Sequence, residues 1–417
     1  MRVFVKLFRA VVLVAAAWLF LTGFSSRPQL LSPAGWAVLT ASDEGLGAGA
    51  GINEGACDVA ADGWVSVSAG YAFTVAIAPG GVLWAWGNNE FGQLGHGDDA
   101  ERNEPECTGV ADYWVLVSAG HSHTVAINSS GELWAWGYNS SGRLGLGDSV
   151  DRSEPALIES ENSWAFVSAG YAHTLAITTG GELWAWGNNV YGQLGLGDNV
   201  DRYEPTRVGQ AGNWASVSAG GMHSLAVTSG GELWAWGLND SGQLGLGDDV
   251  ARNEPARIEA GNTWIAVSAG GMHSVAIASG GGLWAWGQNN LGQVGDGSDE
   301  NRNAPVRIGG ASNWAAVAAG GAGYTLALTA GGQLWAWGNN GDGQLGLGDN
   351  EARNEPVRIG LADNWVAVAA GAGHALAINS SGELWAWGRN SFGKLGLGDT
   401  EPRNLPTQVS RAMAADG

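Results

Sequence analysis

Alternation of side chains with a period of two dominates this chain. In the segment Glu182–Trp186, which reads Glu-Leu-Trp-Ala-Trp, both tryptophans fall on one face of an extended strand, and the leucine and alanine fall on the other. Two β-prone runs precede it, Trp164–Gly170 and His173–Thr178, and a shorter run, Pro155–Ile158, stands before them. Turn residues separate the runs, so the pattern predicts four strands. Because both faces are apolar, both must be covered in the folded protein.

The same pattern recurs along the chain. The string Leu-Trp-Ala-Trp-Gly stands at Leu83–Gly87, Leu133–Gly137, Leu183–Gly187, Leu233–Gly237, Leu283–Gly287, Leu334–Gly338 and Leu384–Gly388. A fixed period of about 50 residues is typical of repeat proteins. A four-stranded sheet packed between copies of itself is a propeller blade, and seven blades can close into a ring. We therefore predict an all-β fold, a seven-bladed β-propeller of four-stranded antiparallel blades.

The order of the strands predicts how the ring closes. The first full run, Trp64–Gly70, matches the second strand of the unit, whereas Pro406–Val409 near the C-terminus matches the first. The C-terminal strand is therefore predicted to close the ring by completing the blade that Trp64–Gly70 begins. The alternative is Asn53–Cys57, which is similar to Asn103–Cys107 and could supply that strand instead.

The N-terminus differs from the repeats. Arg2, Lys6 and Arg9 precede an apolar run at Ala10–Phe24 that is short for a membrane span. Residues 1–27 are therefore predicted to be a signal peptide or N-terminal anchor, and the protein to be secreted, on the cell surface or periplasmic. We assign residues 28–57 to a linker or N-terminal extension, 58–410 to the seven-repeat propeller and 411–417 to a tail.

Charge and cysteine content restrict the partners and the compartment. The net charge of −21 argues against nucleic acid, and against a membrane beyond the N-terminal segment. Cys57 and Cys107 are the only cysteines, at matching places in consecutive repeats. Matching places in neighbouring units are usually too far apart for a disulfide, although export would permit one. The sequence leaves the bond open.

One stretch resembles a known family. Gly170–Asp198 carries His-Thr-Leu-Ala, then Leu-Trp-Ala-Trp-Gly, then Gln-Leu-Gly-Leu-Gly-Asp, and is similar to the regulator of chromosome condensation repeat. The resemblance covers about residues 60–410 and implies a seven-bladed propeller. Its founding type is an exchange factor for the small GTPase Ran, so guanine-nucleotide exchange is the first alternative function, and an enzyme built on the propeller is the second. Exported bacterial inhibitors of β-lactamase share the export signal and a binding role, which favours an exported bacterial-type member.

Histidines recur at one repeat position and invite a zinc or general-base interpretation. They are His123, His173, His223, His273 and His374. Phe73 and Tyr324 hold that position in the other two copies. A position that accepts phenylalanine and tyrosine is a packing position with an optional hydrogen bond.

A complete set of arginines stands after each glycine string. The set is Arg102, Arg152, Arg202, Arg252, Arg302, Arg353 and Arg403, and an aspartate precedes most members, with Ser298 in the fifth copy. We predict an Arg–Asp or Arg–carbonyl clasp for the long loop. Calcium bound by Asp198, Asp201 and Glu204 is the alternative. The string Gly192–Gly197 could suggest a phosphate loop, but it lacks a following lysine, and its glycines are predicted to make tight turns.

Function is expected where the copies differ. No catalytic constellation and no cofactor motif stands apart from the repeats, so we expect neither an enzyme nor a cofactor. The loops after the second and fourth strands of each unit open on the same side and vary at Tyr71, His121, Tyr171, Met222, Met272, Phe91, Tyr138, Tyr191, Leu238, Leu291, Arg389 and Phe392. Aromatic residues and methionine are enriched in interface centres. These residues are predicted to bind a protein partner to a monomeric, exported propeller. The alternative is that they fold back into their own loops.

Overall fold

The computed structural model describes residues 30–32, 36–38, 57, 63–109 and 113–410, and only the backbone for the first two ranges. Strands β1 (Leu30–Ser32) and β2 (Trp36–Val38) form a two-stranded sheet. The predicted signal segment and tail, and Asn53–Cys57 apart from Cys57 itself, lie outside these ranges. Within the described ranges, no helix has the length and apolar character needed to cross a membrane.

Seven four-stranded antiparallel sheets follow, so the predicted fold class is confirmed. Blades 1 and 2 contain β3 (Ser66–Ala69), β4 (Phe73–Ala78), β5 (Val82–Gly87), β6 (Arg102–Cys107), β7 (Trp114–Ala119), β8 (His123–Asn128), β9 (Leu133–Gly137) and β10 (Arg152–Leu157). Blades 3 and 4 contain β11 (Trp164–Ala169), β12 (His173–Thr178), β13 (Leu183–Gly187), β14 (Arg202–Arg207), β15 (Trp214–Ala219), β16 (His223–Thr228), β17 (Leu233–Gly237) and β18 (Arg252–Arg257).

Blade 5 contains β19 (Trp264–Ala269), β20 (His273–Ala278), β21 (Gly282–Gly287) and β22 (Arg302–Arg307). Blades 6 and 7 contain β23 (Trp314–Gly320), β24 (Tyr324–Thr329), β25 (Leu334–Gly338), β26 (Arg353–Arg358), β27 (Trp365–Ala370), β28 (His374–Asn379), β29 (Leu384–Gly388) and β30 (Arg403–Val409). Two short 3-10 turns occur at Ser140–Gly142 and Ser391–Gly393. The first strand of each blade lines a central channel.

Every blade is built from four consecutive strands. The C-terminal strand β30 pairs with β29 and completes blade 7, whereas blade 1 takes β6 as its fourth strand. The prediction that Pro406–Val409 would complete the blade begun by Trp64 is therefore wrong. The repeat period does not show where one sheet ends. The Arg-x-x-Pro strand pairs with the tryptophan strand before it because the loop between them allows an antiparallel return.

The core consists of seven separate apolar clusters, one at each junction between blades. At the junction of blades 2 and 3, Trp164 and Trp186 pack against Val125, Ile127 and Leu133 of the preceding blade. The tryptophan face of one blade thus covers the aliphatic face of its neighbour. Complete burial of one tryptophan removes roughly 150–250 Å² from water, which is about 4–6 kcal/mol before entropic costs.

Glycines of the Gly-x-Gly string allow close approach between blades. Gly145 has a φ of 75°, and a Cβ atom there would lie 2.8 Å from Nε1 of Trp186 in the next blade. That indole nitrogen donates a hydrogen bond of 3.0 Å to the carbonyl oxygen of Arg143. Packing and turn geometry therefore account for this string, as the sequence predicted.

The ring closes through contacts between the faces of blades 7 and 1. The Trp64 amide donates to the Gly382 carbonyl over 2.8 Å, and Trp86 Nε1 donates to the Lys394 carbonyl over 3.0 Å. The second bond repeats the one that Trp186 makes at the junction of blades 2 and 3. The closing junction is therefore equivalent to the others, although no blade-to-blade chain connection crosses it.

Cys57 and Cys107 form a disulfide, with their Cα atoms 6.0 Å apart. The expectation from the repeat spacing, that matching places lie too far apart, is wrong for this pair. Cys107 ends β6, the outer strand of blade 1, whereas Cys57 precedes the first strand of that same blade. The disulfide therefore joins the segment that precedes blade 1 to the outer strand of blade 1.

Candidate functional site

Two loops of each blade meet at one end of the ring. The strands alternate in direction, so the loop after the first strand of a blade and the loop after its third strand lie on the same face. In the repeat unit defined from the sequence, these are the loops after the second and fourth strands, which were predicted to open on the same side. In blade 3 the Asn188 amide at the start of the long loop donates to the Ala172 carbonyl of the short loop over 2.9 Å. We call the end of the ring that carries these loops the loop face.

An asparagine holds each long loop in shape. In blade 3, Asn189 Nδ2 donates to the Asp198 carbonyl over 2.9 Å, and its Oδ1 accepts from the Leu194 amide over 3.0 Å. Asn89, Asn139, Asn239, Asn289, Asn340 and Asn390 make equivalent bonds. These asparagines were not among the predicted residues, although Gly-x-Asn follows every tryptophan strand.

The predicted arginine clasp is present. Arg202 Nη2 lies 2.6 Å from Asp198 Oδ2, and Nη1 donates to the Val200 carbonyl. In blade 5, where Ser298 replaces the aspartate, Asp296 supplies the carboxylate and lies 2.5 Å from Arg302 Nε. In this blade the carboxylate therefore stands two positions earlier in the sequence, and the ion pair with the arginine is retained.

Two of the three carboxylates proposed for calcium make other bonds. Asp198 pairs with Arg202, and Asp201 Oδ1 accepts a hydrogen bond from the Asn189 amide over 2.8 Å. Among the described residues, no group of three metal-ligating side chains converges. Loop structure therefore accounts for the repeated carboxylates.

The repeated histidines join adjacent blades. His173 Nε2 lies 3.0 Å from Ser224 Oγ of the next blade, and Ser224 Oγ in turn donates to the Gln193 carbonyl. His123, His223, His273 and His374 make equivalent contacts. Burial, together with neighbouring charge, lowers the pKa of His173 to about 3, so its imidazole stays neutral. The packing interpretation is confirmed.

Three rings of the predicted set stack at the channel mouth on the loop face. The ring centroids of Tyr71 and His121 are 4.2 Å apart, and those of His121 and Tyr171 are 4.0 Å apart. Tyr71 and Tyr171 are 46% and 44% exposed. Burial and then the Arg143 charge lower the pKa of His121 to about 4. Blades 1 to 3 therefore present an uncharged aromatic wall.

The opposite side of the mouth carries glycines in place of the aromatic residues. Gly221, Gly271 and Gly321 occupy the positions equivalent to Tyr71, and a Cβ atom on Gly221 would lie 2.4 Å from the Gly271 carbonyl oxygen. A cavity of about 420 Å³ lies between the two sides. Its lining includes Tyr71, Phe392 and Arg389.

The structure brings only some of the predicted residues together. Tyr71, His121, Tyr171, Arg389 and Phe392 line the cavity. Phe91 and Tyr138 pair at 4.4 Å farther out, with Arg143 over the Tyr138 ring at 4.6 Å. Tyr191 and Leu291 are exposed, Met222 and Met272 are half-buried, and Leu238 is buried. Leu238 therefore follows the alternative in which the side chain folds back, and its part in a surface is a wrong prediction.

Two polar residues of the cavity were not among the predicted site residues. Lys394 and Asp342 line it beside Arg389. Lys394 occupies a position that is glutamine in most copies, and it is one of two lysines in the chain. Departure from the repeat is the signal in the sequence for Lys394, which lies outside the variable loop positions that were predicted to bind a partner.

Sequence comparisons identify the repeat. The RCC1-like domain matches residues 55–276, which is more than half of the chain. The regulator of chromosome condensation (RCC1) repeat matches residues 280–328, 331–378 and 381–414, and a second form of the repeat matches 264–293, 314–344 and 365–394. No curated protein matches the sequence at a significant level.

Solved structures share the fold. Human WBSCR16 superposes with a TM-score of 0.71 at 24% identity, over 79% of this chain and 94% of that one. Prp20p from Saccharomyces cerevisiae gives 0.72 at 23%, over 81% and 87%. Yeast RCC1 (Prp20) bound to Kap60 gives 0.70 at 22%, over 79% and 83%. With its matching repeats and seven blades, the chain belongs to the regulator of chromosome condensation (RCC1) repeat family.

Proposed function

We propose that the protein is an exported binding propeller that takes a protein partner on the loop face. The observation that carries the proposal is the aromatic wall of Tyr71, His121 and Tyr171, whose tyrosine rings remain almost half exposed beside an open cavity. Exposed aromatic rings that are held rigid supply contact area at little entropic cost, which is why they concentrate in interface centres.

Relatives support a binding role in general terms. RCC1-family propellers serve as binding or exchange-factor scaffolds, and the yeast structures concern binding of Prp20 to Kap60, to Gsp1p and to histones. Such low sequence identity transfers no partner to this chain.

Export has two supporting observations. The predicted signal segment is one, and the Cys57–Cys107 disulfide is the other, because disulfides persist mainly in oxidising compartments. Detection of the processed protein in the secreted, periplasmic or surface fraction tests this part, and recovery of the intact chain from the cytoplasm alone would contradict it.

Affinity capture from secreted and surface fractions tests the binding face. The double variant Tyr71→Ala/Tyr171→Ala should lose the partner, since it removes the exposed rings and leaves the blade cores intact. A second variant with alanine at Tyr138, Tyr191 and Phe392 tests the outer loops. Leu361→Ser is the matched control, because Leu361 is 87% exposed in the β26–β27 connection at the opposite end of the ring. Retained capture by both loop-face variants, with normal unfolding midpoints, would refute the proposal.

Guanine-nucleotide exchange is the second candidate, and it rests on family membership. Purified protein would then accelerate nucleotide release from a small GTPase of the same organism, and the acceleration would depend on loop-face residues. An unchanged release rate would remove this candidate.

A further inference from the structure

One position of the long loop departs from the repeat in two blades. Five copies carry glutamine there, and its Oε1 accepts the amide of the residue two places earlier, as Gln193 accepts that of Tyr191 over 2.9 Å. The five are Gln93, Gln193, Gln243, Gln293 and Gln344. The other two copies carry Arg143 and Lys394, which have no acceptor atom on the side chain.

Loss of that acceptor changes the backbone. In the two basic copies the loop forms a 3-10 turn, and the residue two places earlier takes a left-handed conformation, with a φ of 61° at Ser141 and 65° at Phe392. Left-handed backbone is costly for a residue with a large side chain. The presence of lysine in place of glutamine at position 394 is therefore coupled to a strained backbone at Phe392, whose side chain lies at the cavity and is 41% exposed.

The two basic side chains differ in how fully they are bonded. Arg143 donates to the carbonyls of Ser140 and Tyr171 and lies over the Tyr138 ring. Lys394 is 2% exposed, and within the described part of the chain its Nζ has one acceptor, the Tyr71 carbonyl at 3.3 Å. An ammonium group has three donors, so Lys394 retains hydrogen-bonding capacity toward the cavity that it lines.

The charges around the cavity favour a monovalent anion. Arg389 and Lys394 contribute two positive charges and Asp342 one negative charge, and neither cation forms an ion pair within the described ranges. Burial and then Arg389 lower the pKa of Lys394 to about 8, and Asp342 opposes them, so the ammonium is charged at neutral pH. This positive site lies on a chain of net charge −21.

We propose that Lys394 and Arg389 bind a carboxylate group of the partner protein, and that Phe392 and Tyr71 contact an apolar side chain next to it. The inference rests on the proposed binding function and names the chemistry that the partner presents. A single positive excess matches one carboxylate better than a dianionic phosphate. Thr74 Oγ1 and Trp86 Nε1 both donate to the carbonyl of Lys394, and its buried side chain reaches the Tyr71 carbonyl, so the ammonium has a defined position.

Titration of the full chain with small peptides tests the site without the partner. The probes are N-acetyl-Gly-Gly-Phe with a free carboxylate, the same peptide as an amide, N-acetyl-Glu-Phe-amide and inorganic phosphate. The free acid or the glutamyl peptide should bind at least about tenfold more tightly than the amide, since a charge-assisted hydrogen bond is lost. The stronger of the two distinguishes a terminal from a side-chain carboxylate. Equal binding of the amide, tighter binding of phosphate or no binding of either carboxylate would overturn the proposal.

Variants that restore the repeat locate the binding. Lys394→Gln installs the residue of five other copies, so the blade should fold, return Phe392 to negative φ and weaken carboxylate binding at least about tenfold. Arg389→Asn, which matches Asn88 and Asn188, should also weaken it. Arg143→Gln removes a positive charge at the equivalent position of blade 2 and should bind like the wild type. Undiminished binding by Lys394→Gln, or an equal loss in Arg143→Gln, would refute the assignment.

The two proposals can fail separately. If no peptide carboxylate binds while capture still depends on Tyr71 and Tyr171, only the carboxylate site is wrong. If the peptides bind through Lys394 while the tyrosine variants keep their partner, the proposed binding face is wrong and the small-molecule site stands.

Discussion

At the scale of single residues, the buried histidines link the stability of the ring to pH. His173 and His223 have folded pKa values of about 3, because burial, with neighbouring charge, disfavours their charged form. Their ordinary value is 6.5. Between these values the unfolded chain binds more protons than the folded one, so the free energy of unfolding falls as the pH falls below 6.5. Above that value it is independent of these groups.

Replacing one histidine by phenylalanine should reduce this acid sensitivity. Phe73 already holds the equivalent position in blade 1. In His223→Phe, the loss of stability between about pH 7.5 and about pH 5 should shrink by about 2 kcal/mol, at a cost of about 1 kcal/mol at neutral pH for the bond to Ser274. Urea unfolding at both pH values measures the change. An unaltered pH dependence would contradict the assignment of proton linkage to His223.

The displaced acid of blade 5 permits a double-mutant cycle. Asp296→Leu should destabilise the protein by about 1–2 kcal/mol, since it removes the close ion pair of Arg302 and leaves only the exposed Glu300 carboxylate, 3.6 Å from Nη1. Adding Ser298→Asp rebuilds the arrangement of Asp198 and Arg202 in blade 3, so the double variant should recover most of the loss. Denaturant unfolding of both single variants and the double variant supplies the coupling energy. Simple additivity would show that the two acids do not substitute for each other.

Sequence reasoning worked at this scale where a residue type filled one role in every copy. The histidine set was assigned correctly to packing because Phe73 and Tyr324 occupy the same repeat position. The arginine set was assigned correctly to a loop clasp because an aspartate recurs before most of its members. Lys394 was overlooked because its importance depends on what surrounds it in space. Tyr71 and Asp342 reach its cavity from other blades, and no local pattern in the sequence reports that arrangement.

At the scale of strands, serines on the first strands join neighbouring blades around the channel. Ser168 Oγ accepts the Ala219 amide of the next blade over 3.0 Å, and Ser68, Ser118, Ser218 and Ser268 do the same. Blades 6 and 7 carry Ala318 and Ala369 at this position. These two strands therefore lack the hydroxyl acceptor that the others supply.

Serine at both alanine positions should stabilise the ring. Ala318→Ser and Ala369→Ser would each offer an acceptor to an amide of the next blade, which is worth about 0.5–1.5 kcal/mol per bond. Ser218→Ala is the matched control and should cost a similar amount. Thermal and urea unfolding of the three variants measures the effect. If the serines destabilise the protein, the channel amides are already satisfied by other means.

The strands themselves were predictable, and their division into blades was not. The predicted runs Trp164–Gly170 and His173–Thr178 correspond closely to β11 and β12, because alternating apolar residues and glycine turns define them locally. The fourth strand of a blade starts earlier than predicted, at Arg152 in β10, where a register shift follows the Arg152 pairing with Gly137. Which neighbouring sheet that strand joins depends on tertiary pairing, and a periodic sequence does not specify that pairing.

At the scale of the molecule, the disulfide encloses all of blade 1. Its sequence separation is 50 residues, so closing this loop in the unfolded chain should contribute roughly 2–4 kcal/mol. Reduction should lower the free energy of unfolding by that amount. Urea unfolding with and without reductant measures this free energy. The double variant Cys57→Ser/Cys107→Ser should unfold at the same midpoint under both conditions. Equal midpoints for the oxidised and reduced protein would show that the bond constrains little.

Because every blade consists of four consecutive strands, the chain could begin at any blade without dividing a sheet. The chain passes from the outer strand β6 to the inner strand β7 through residues 108–113, and a link of similar length from β30 to β3 would connect the same two kinds of position. A circular permutant opened between β14 and β15 would keep four strands in every sheet. Gain or loss of one unit of about 50 residues would likewise add or remove a whole blade. Because each sheet holds four consecutive strands, duplication of a single unit would change the size of the ring without dividing any blade.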